Sequence, residues 1–448
     1  MSTVEVEMSR FFSNKEVEAL ARSTSFVERR SPITGFKFLV TFTTGLLNTP
    51  EGTLAQLAAF LSGACLTEVS AQAVDERINT MAIEFMRQCL QKAISMSRRP
   101  LDFDEGALVG FDHVYVIDST NFELHPSLAD IFKGNGGGAS KSSMRIQLVL
   151  DYLEGTLHVE IGDTKLSDPK TLHDIVERRG LDMSGNCLYL SDLGYFKTAT
   201  FEKIDAVPGQ YFLSKLMFGV GIENERGGQI NLQDMLKKAP DSFDMIVKIG
   251  GLICRLVGKK LPGNVVNQRI RKANEASERK GGITDAYSLF LRYALFITNL
   301  PTRYDVGMLF VLYRIRWRIE LVFKTWKSIL AIHKIRSAKV ERVMCEVYGK
   351  LIIAAISSMI CAAAEAYLDG AVISLHRAMR HLRVAAVSWA LSIMDGLLSH
   401  TKFLNKLKQD IARLCRKRSQ KNKPTIEQLL KKTLFQNKRR KNATIRNS

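Results

Sequence analysis

Apolar positions in the first hundred residues recur at the three- and four-residue spacing of α-helices. One helix is predicted to begin after Thr53 and to end near Gly63, and a second is predicted to begin near Ser70. Two short helices around a turn indicate either a DNA-binding helix-turn-helix or an ordinary helical bundle, and the pattern favours neither. Residues 1–105 are therefore predicted to form a helical region, with DNA binding as its expected role.

The pattern changes near residue 108, where alternating and β-branched runs replace the helical spacing. The predicted elements are, in chain order, a strand at 113–118, a hairpin turning at Glu154 and Gly155, a helix from Pro169 to Gly180, and strands at 186–192 and 210–217. With a further helix between the last two strands, this order fits a ribonuclease-H-like α/β fold. Such a fold is a mixed sheet flanked by helices.

Beyond this core the chain divides by composition. Residues 219–300 combine strand-like runs with a polar, basic segment, and residues from Lys402 onwards are strongly basic. The predicted divisions are a helical region at 1–105, a first core part at 106–218, a β-rich insertion at 219–300, a second core part at 301–345, and a C-terminal helical region with a basic tail at 346–448.

Charge narrows the class of partner. The chain has 64 Lys and Arg against 45 Asp and Glu, a formal net charge of +19. Such an excess repels itself in a compact chain, and a polyanion relieves that repulsion. Nucleic acid is the first such partner to expect and an anionic membrane surface the second.

Membrane, secreted and zinc proteins fit less well. The longest strongly apolar run, residues 351–364, is shorter than the roughly 20 residues that cross a bilayer, so we predict a buried helix there. The N-terminus lacks the apolar core of a signal peptide. The seven cysteines include no CxxC pair, so neither a disulfide framework nor a zinc site is predicted. We expect a cytoplasmic protein in contact with DNA and not with a membrane.

Two acidic residues stand at the ends of predicted strands. Asp118 closes the run HVYVID and Asp192 closes the run NCLYLSD. The carboxyl ends of strands in such sheets are where sites are usually built. Two carboxylates brought together repel each other unless cations lie between them, and hard oxygen ligands suit Mg²⁺ or Mn²⁺. Taken alone, an aspartate at the end of a strand is more often a turn former or a helix cap than a metal ligand.

The segment YRIRWRIELVFKTWK carries a sharper pattern. Tyr313, Arg316, Glu320 and Lys327 are separated by three, four and seven residues. On one continuous helix these positions fall within a stripe of about 60°. A tyrosine, two cations and a carboxylate in line suit a third metal ligand flanked by phosphate-binding groups. The alternative is a solvated face with an ion pair between Glu320 and Lys324.

This spacing resembles the Tyr-Arg-Glu-Lys signature of bacterial insertion-sequence DDE transposases of the cut-and-paste type. VIDST, YLSDLGYF and LFITNLP resemble the surrounding family motifs, and the likeness covers about residues 110–345. The resemblance implies a ribonuclease-H-like core with a β-rich insertion in the 128 residues between Asp192 and Glu320.

The same resemblance implies roles for residues and partners. The metal ligands would be Asp118, Asp192 and Glu320, holding two Mg²⁺ or Mn²⁺ ions that serve phosphodiester cleavage. The DNA-end contacts would be Tyr313, Arg316 and Lys327. The expected substrates are double-stranded DNA, as element ends and target, and the expected assembly is a homodimer on DNA.

One departure from the family concerns base stacking at the cleaved end. Better-known relatives use a tryptophan of the insertion, whereas Trp317, Trp326 and Trp389 all lie outside it. Aromatic residues that could substitute, or could equally be core residues, are Tyr287, Phe290, Tyr293 and Phe296. Cleavage through a DNA hairpin is therefore not established by the sequence.

Several other interpretations stay open. The glycine cluster at 134–138 lacks GxxxxGK[ST], which argues against a nucleotide-binding loop and leaves a loop touching DNA. The same core could also serve a nuclease without strand transfer. A catalytically inactive DNA-binding regulator is the third possibility, and the presence of all three acids argues against it.

Overall fold

The structure is a computed structural model of the chain. It describes residues 3–96, 108–135, 140–165, 167–178, 181–277, 282–365, 367–368, 372–417 and 429. The glycine cluster lies partly outside these ranges, and the basic tail beyond residue 417 lies almost wholly outside them.

Helices fill the described part of the chain before the first strand. They are α1 (Thr3–Phe11), α2 (Asn14–Ser23), α3 (Gly35–Val40), α4 (Leu46–Asn48), α5 (Leu54–Cys65), α6 (Ala71–Arg77) and α7 (Thr80–Met96), with a π-helical turn at Thr41–Gly45 joining α3 to α4. Thr53 begins α5 through a capping box with Gln56, as the sequence predicted for the start of this helix.

Two details of that helical prediction are wrong. Helix α5 runs past Gly63 and ends at Cys65, because Gly63 faces open space and the chain reverses only at Leu66, in the left-handed region with φ +49°. The helix predicted from Ser70 is two helices. The Asn79 side chain accepts a hydrogen bond from the Ala82 amide and starts α7 as a separate element.

The strands form one mixed sheet in the described part of the chain. They are β1 (His113–Glu123), β2 (Ser143–Asp151), β3 (Leu157–Gly162), β4 (Cys187–Ser191), β5 (Gln210–Lys215), β6 (Ser242–Ile249), β7 (Leu252–Lys260) and β8 (Tyr293–Thr298). Their order across the sheet is β3-β2-β1-β4-β5-β8-β7-β6. The β1, β4 and β5 pairs are parallel and the remaining pairs are antiparallel.

The predicted order of elements in the core is confirmed. The hairpin β2–β3 turns at Gly155, which has φ +72°. Helix α8 (Asp168–Arg178) follows the hairpin, and helix α9 (Thr198–Asp205) lies between β4 and β5. The core is therefore a mixed α/β fold of the ribonuclease-H-like class.

Residues 219–300 contain more helix than the sequence suggested. Besides strands, the segment holds α10 (Leu232–Lys238), α11 (Gly263–Ser277) and α12 (Asp285–Leu291). Its strands β6, β7 and β8 continue the central sheet beyond β5. The sheet grows in this direction because β8 pairs with both β5 and β7, so the insertion shares the hydrogen-bonded ladder of the core.

Side chains alternate between the two faces of the sheet, as the pleat of a strand requires. On β1, Val114 and Val116 face a core shared with the N- and C-terminal helices. Tyr115 and Ile117 face a second core that includes Leu172 of α8 and residues from the insertion. We call these the front and the rear face of the sheet.

Helices also follow the last strand. They are α13 (Val306–Arg314), α14 (Trp317–Ser328), α15 (Val340–Glu365), α16 (Leu375–Val384), α17 (Ala386–Met394) and α18 (Leu397–Leu414). Helix α15 includes the predicted buried helix and is longer than the apolar run suggested. By length and composition α15 could cross a membrane, but 89% of its most apolar window is buried inside the protein.

The first and last helices meet on the front side. The Ser9 and Thr401 hydroxyls are hydrogen-bonded at 3.0 Å, and the ring of Phe12 packs edge-on against Trp389. Helix α15 lies between α7 and α18 and buries nearly its whole length. The two ends of the chain therefore build one helical layer against the sheet.

Candidate active site

Asp118 and Asp192 lie side by side on neighbouring parallel strands. The last paired residues of β1 and β4 are Ile117 and Ser191, and each acid follows directly after its member of that pair. The prediction that Asp118 ends a strand is wrong, because β1 continues to Glu123. The continuation is stabilised by β2 alone, so Asp118 still stands where the parallel ladder stops.

Both acids point to the front face. Asp118 has the same parity along β1 as Val116, and Asp192 follows the buried front-face residues Leu188 and Leu190 of β4 at the same two-residue interval. Helix α14 packs against β1 on this side of the sheet. The alternation of the strands therefore turns two distant carboxylates toward the same helix.

The signature segment is two helices and not one. Helix α13 ends at Arg314 and α14 begins at Trp317. Between them the amides of Ile315, Arg316 and Arg318 bond to carbonyls three residues earlier, which is the tighter 3-10 pattern. The prediction of one continuous helix is therefore wrong at this junction, although Arg316 itself keeps α-helical backbone angles.

A buried guanidinium lies among the three acids. Arg316 Nη1 is 3.2 Å from Asp118 Oδ2 and 3.9 Å from Asp192 Oδ2, and Arg316 Nη2 forms an ion pair with Glu320 Oε1. The Arg316 side chain is only 8% exposed. Since all three carboxylates contact one planar group, the acids that the sequence separates by up to 202 positions meet in space.

Tyr313 lies behind Asp192. Its hydroxyl donates to the Ser191 carbonyl at 3.1 Å and contacts Asp192 Oδ1 at 3.3 Å. Lys215, at the end of β5, places its Nζ 3.1 Å from the same carboxylate oxygen. Lys215 was missed by sequence reasoning. Lys215 lies inside the strand predicted at 210–217, but only the structure shows that this strand ends at Lys215 and pairs with β4.

The two aspartates differ in their electrostatics. Burial raises the pKa of Asp118 to about 6, although the Ser119 amide and Arg316 act in the opposite direction. Burial also opposes ionisation of Asp192, but Lys215 and Arg316 outweigh it and lower the pKa of this carboxyl. The two carboxyls therefore lose their protons in different pH ranges, and a divalent cation bound between them would favour the ionised form of both.

The acids line an open hollow of about 530 Å³ on the front face. Arg316, Glu320 and Lys327 line it as well, so five of the six predicted site residues meet there, while Tyr313 supports the site from behind. Other residues of the lining are Ser119, Thr120, Phe323, Lys324, Ser328 and His333. Basic side chains therefore surround a floor of carboxylates.

The donor set suits a hard divalent cation. Carboxylate oxygens are the ligands that Mg²⁺ and Mn²⁺ prefer. The buried hydroxyl of Thr120 has no hydrogen-bond partner among the described residues, so the floor offers a further oxygen. In this structure the Arg316 guanidinium lies between the carboxylates and reduces their mutual repulsion.

A further group of possible ligand atoms lies at the N-terminal end of β1. His113, Asp151 and Glu154 each offer an atom within 4.8 Å of the others, and this group could also hold a metal ion. Asp151 Oδ2 contacts His113 Nδ1 at 2.6 Å, and its Oδ1 accepts from the amides of Leu153 and Glu154. The carboxylate thus already caps the turn that leads from β2 to β3.

The aromatic residues of the insertion fall into two groups. Tyr293 and Phe296 are buried in β8 and belong to the core. Tyr287 and Phe290 are partly exposed and stack on each other, and both rings contact Phe218, which is 41% exposed. Of the four aromatic residues proposed for base stacking, Tyr287 and Phe290 are therefore the two that are not buried in the core.

Comparison with known proteins agrees with this geometry. The family model of the transposase DDE domain matches residues 110–356, a range that spans all three acids. A transposase for insertion sequence element IS1151 of Clostridium perfringens is 29% identical over 378 residues, covering 78% of each chain. A transposase for insertion sequence element IS231B of Bacillus thuringiensis subsp. berliner is 27% identical over 382 residues, covering 77% of each chain.

The fold and the match define an enzyme that acts on DNA through a ribonuclease-H-like core. The chain belongs to the family of transposases with a DDE domain. Enzymes of this family depend on divalent metal ions and take DNA as substrate. The predictions of an insertion-sequence DDE transposase and of a ribonuclease-H-like α/β core are confirmed.

Proposed function

We propose that this transposase cleaves DNA strands at the ends of an insertion sequence and joins the freed 3′-hydroxyl to target DNA. The observation that carries the proposal is the meeting of three carboxylates around one guanidinium in a basic hollow. Carboxylates beside lysines and an arginine can hold metal ions and a phosphodiester together, and that combination is what phosphodiester exchange requires.

Asp118, Asp192 and Glu320 are the proposed metal ligands, for two Mg²⁺ or Mn²⁺ ions. Such ions, when bound, activate the attacking oxygen and stabilise the leaving one. The protein's own contribution is to hold the three carboxylates on one rigid floor. Strands β1 and β4 fix the aspartates, and the first turn of α14 fixes the glutamate.

The remaining residues bind and orient. Arg316 and Lys327 are proposed to contact phosphates beside the cleaved bond, since a guanidinium offers paired donors and an ammonium a compact charge. Tyr313 is proposed to act at the DNA end through Asp192, whose carboxylate it contacts from behind. Lys215 joins this group because its ammonium pairs with Asp192.

The partners and the division of the chain belong to the same proposal. The substrates are double-stranded element ends and target DNA, and a homodimer is proposed because two ends are handled together. The proposed units remain the helical region 1–105, core parts 106–218 and 301–345, the insertion 219–300, and the C-terminal region 346–448. Packing of α1 against α18 supports cooperation between the two terminal regions.

One comparison tests the proposal. The full-length protein is incubated with Mg²⁺, end-labelled fragments carrying the DNA that flanks its gene, and a target plasmid. Joined products are expected. Nicked fragments without joined products would favour a nuclease without strand transfer, and shifted but uncut fragments would favour a catalytically inactive DNA-binding regulator. A reaction with EDTA in place of Mg²⁺ serves as the control.

A further inference from the structure

The rear face of the sheet, directly behind the acids, carries a polar cluster that the proposed chemistry does not use. The cluster consists of Ser119, Gln147, Asp168 and Tyr195, with Arg145 at its edge. We propose that Asp168 is a positioning residue, which holds the segments bearing Asp118 and Asp192 at a fixed separation and so sets the metal affinity of the site. This inference rests on the proposed function of the two acids.

Asp168 contacts the segment of the first acid. Its Oδ1 accepts hydrogen bonds from Ser119 Oγ at 2.8 Å, from Gln147 Nε2 at 2.9 Å and from Arg145 Nη1 at 3.2 Å. Ser119 follows Asp118 in β1, and its amide donates to Asp118 Oδ1 at 2.8 Å. Asp168, at the start of α8, therefore contacts the residue that directly follows Asp118 in β1.

The same cluster contacts the segment of the second acid. The Tyr195 hydroxyl donates to Gln147 Oε1, and Tyr195 closes the 3-10 turn that Asp192 begins. Gly194 in this turn lies against Asp168, because a Cβ added there would be 3.0 Å from Asp168 Oδ2. Asp168 and Gln147 thus connect the turn after Asp192 with the strand that carries Asp118.

The Gln147 and Tyr195 side chains of the rear-face cluster are buried, so each needs its hydrogen-bond partner. Tyr195 is 1% exposed and Gln147 is 2% exposed, so an unpaired hydroxyl or amide here would be costly. Strand register also contributes, since Ser119 and Gln147 are directly opposite residues of β1 and β2. Helix α8, which begins at Asp168, packs on both β1 and the 3-10 turn. The cluster has one well-determined geometry, as a positioning device needs.

Asp168 acts through other residues and not as a ligand. It is absent from the lining of the front-face hollow, although Ser119 lines it. Its Oδ1 already accepts hydrogen bonds from three donors on the rear face. Outer residues that orient metal ligands typically change metal affinity by about ten- to a hundredfold when they are replaced.

The test measures Mn²⁺ binding apart from catalysis. Free Mn²⁺ is titrated by electron paramagnetic resonance against the full-length wild type, Asp168→Ala, Asp168→Asn and Asp118→Asn. Asp130→Asn is the matched control, because Asp130 is an exposed carboxylate of the same core part. Nicking of a plasmid carrying the gene and its flanking DNA is then followed over a range of Mn²⁺ concentrations.

We expect Asp168→Ala to weaken Mn²⁺ binding about tenfold, with nicking largely restored at saturating Mn²⁺. Asp168→Asn keeps an acceptor oxygen and is expected to show a smaller shift. Wild-type Mn²⁺ binding in Asp168→Ala would overturn the inference. So would a loss of nicking that excess Mn²⁺ does not restore in a variant of unchanged thermal stability.

Two further measurements separate the causes of failure. If Asp168→Ala does not fold, Ser119→Ala removes one link of the cluster, and unchanged Mn²⁺ affinity there would overturn the inference. If Asp118→Asn retains both Mn²⁺ binding and nicking, the proposed metal site itself is wrong, whatever Asp168→Ala shows.

Discussion

The two faces of the sheet at β1 differ in how the charge of their carboxylates is balanced. On the front face, Asp118, Asp192 and Glu320 contact two cations, the Arg316 guanidinium and the Lys215 ammonium, so negative charge is in excess among these contacting groups. On the rear face, Asp168 alone receives three donors, one of them cationic, and is balanced by its neighbours. Excess negative charge on the front face favours the binding of cations. The rear-face cluster is balanced by its own hydrogen bonds and keeps its geometry without a bound ion.

The largest expected effect removes one front-face acid. Asp118→Asn or Asp192→Asn should lower strand cutting on the order of a thousandfold, because a metal ligand is lost while the shape of the floor remains. DNA binding, measured by mobility shift, should stay close to wild type. Unchanged cutting in either variant would exclude that residue from the site. Asp130→Asn is the control and should cut normally.

The buried imidazole of His400, which lies in the helical layer and not on the sheet, shows how burial changes a pKa when no charged partner is present among the described residues. His400 in α18 accepts a hydrogen bond from Trp389 Nε1 at 3.0 Å, and burial lowers its pKa to about 4. A lowered folded-state pKa means that stability is complete above the usual value of 6.5 and is lost as the pH falls toward 4.

We therefore expect the free energy of unfolding to drop by about 3 kcal/mol between pH 7 and pH 4 through this group. Urea unfolding of the wild type and of His400→Gln measures it, and the difference between the two proteins should shrink as the pH falls. Parallel curves for the two proteins would show that His400 titrates normally.

The next effect concerns the front-face guanidinium. Arg316→Gln should lower the free energy of unfolding in EDTA by about 2 kcal/mol, because the carboxylates lose the cation they share. The value is below that of a fully buried pair, since Asp192 is 38% exposed and Glu320 is 33% exposed. Mg²⁺ should restore the stability, and thermal unfolding with and without Mg²⁺ checks this. A loss that Mg²⁺ does not reduce would contradict the comparison between the faces.

The smallest expected effect is a change in the salt dependence of DNA binding when a single lysine is replaced on one side of the sheet or the other. Lys327→Ala on the front face should reduce the salt dependence of DNA-end binding by roughly one ion. Lys170→Ala, at an exposed position of α8 on the rear side, should leave the dependence unchanged. Equal slopes for both variants would place Lys327 away from phosphate.

Much of the catalytic core was predictable from local pattern. The alternation around Glu154 and Gly155 indicated the hairpin, and the acids at 118 and 192 were found because each follows a β-branched or aromatic run. The helical spacing of Arg316, Glu320 and Lys327 could be recognised from the sequence because helical periodicity involves only neighbouring residues. These signals need only a few neighbouring residues.

Other features were not predictable in this way. The continuation of β1 beyond Asp118 depends on its pairing with β2, and the 3-10 break before Trp317 depends on packing against the sheet. The extension of the sheet by the insertion depends on β8 pairing with β5. Asp168 could not be singled out from the sequence, because its hydrogen-bond partners come from two distant strands, β1 and β2.

By itself, the sequence determined the alternation of side chains along the strands and the helical spacing within α14, since both follow from residues close together in the chain, and it also determined the excess of positive charge. Only the tertiary structure decided which carboxylates meet around the Arg316 guanidinium and which one accepts hydrogen bonds from the rear-face cluster. That decision depends on strand register and helix packing between distant segments, and such contacts have no local signature.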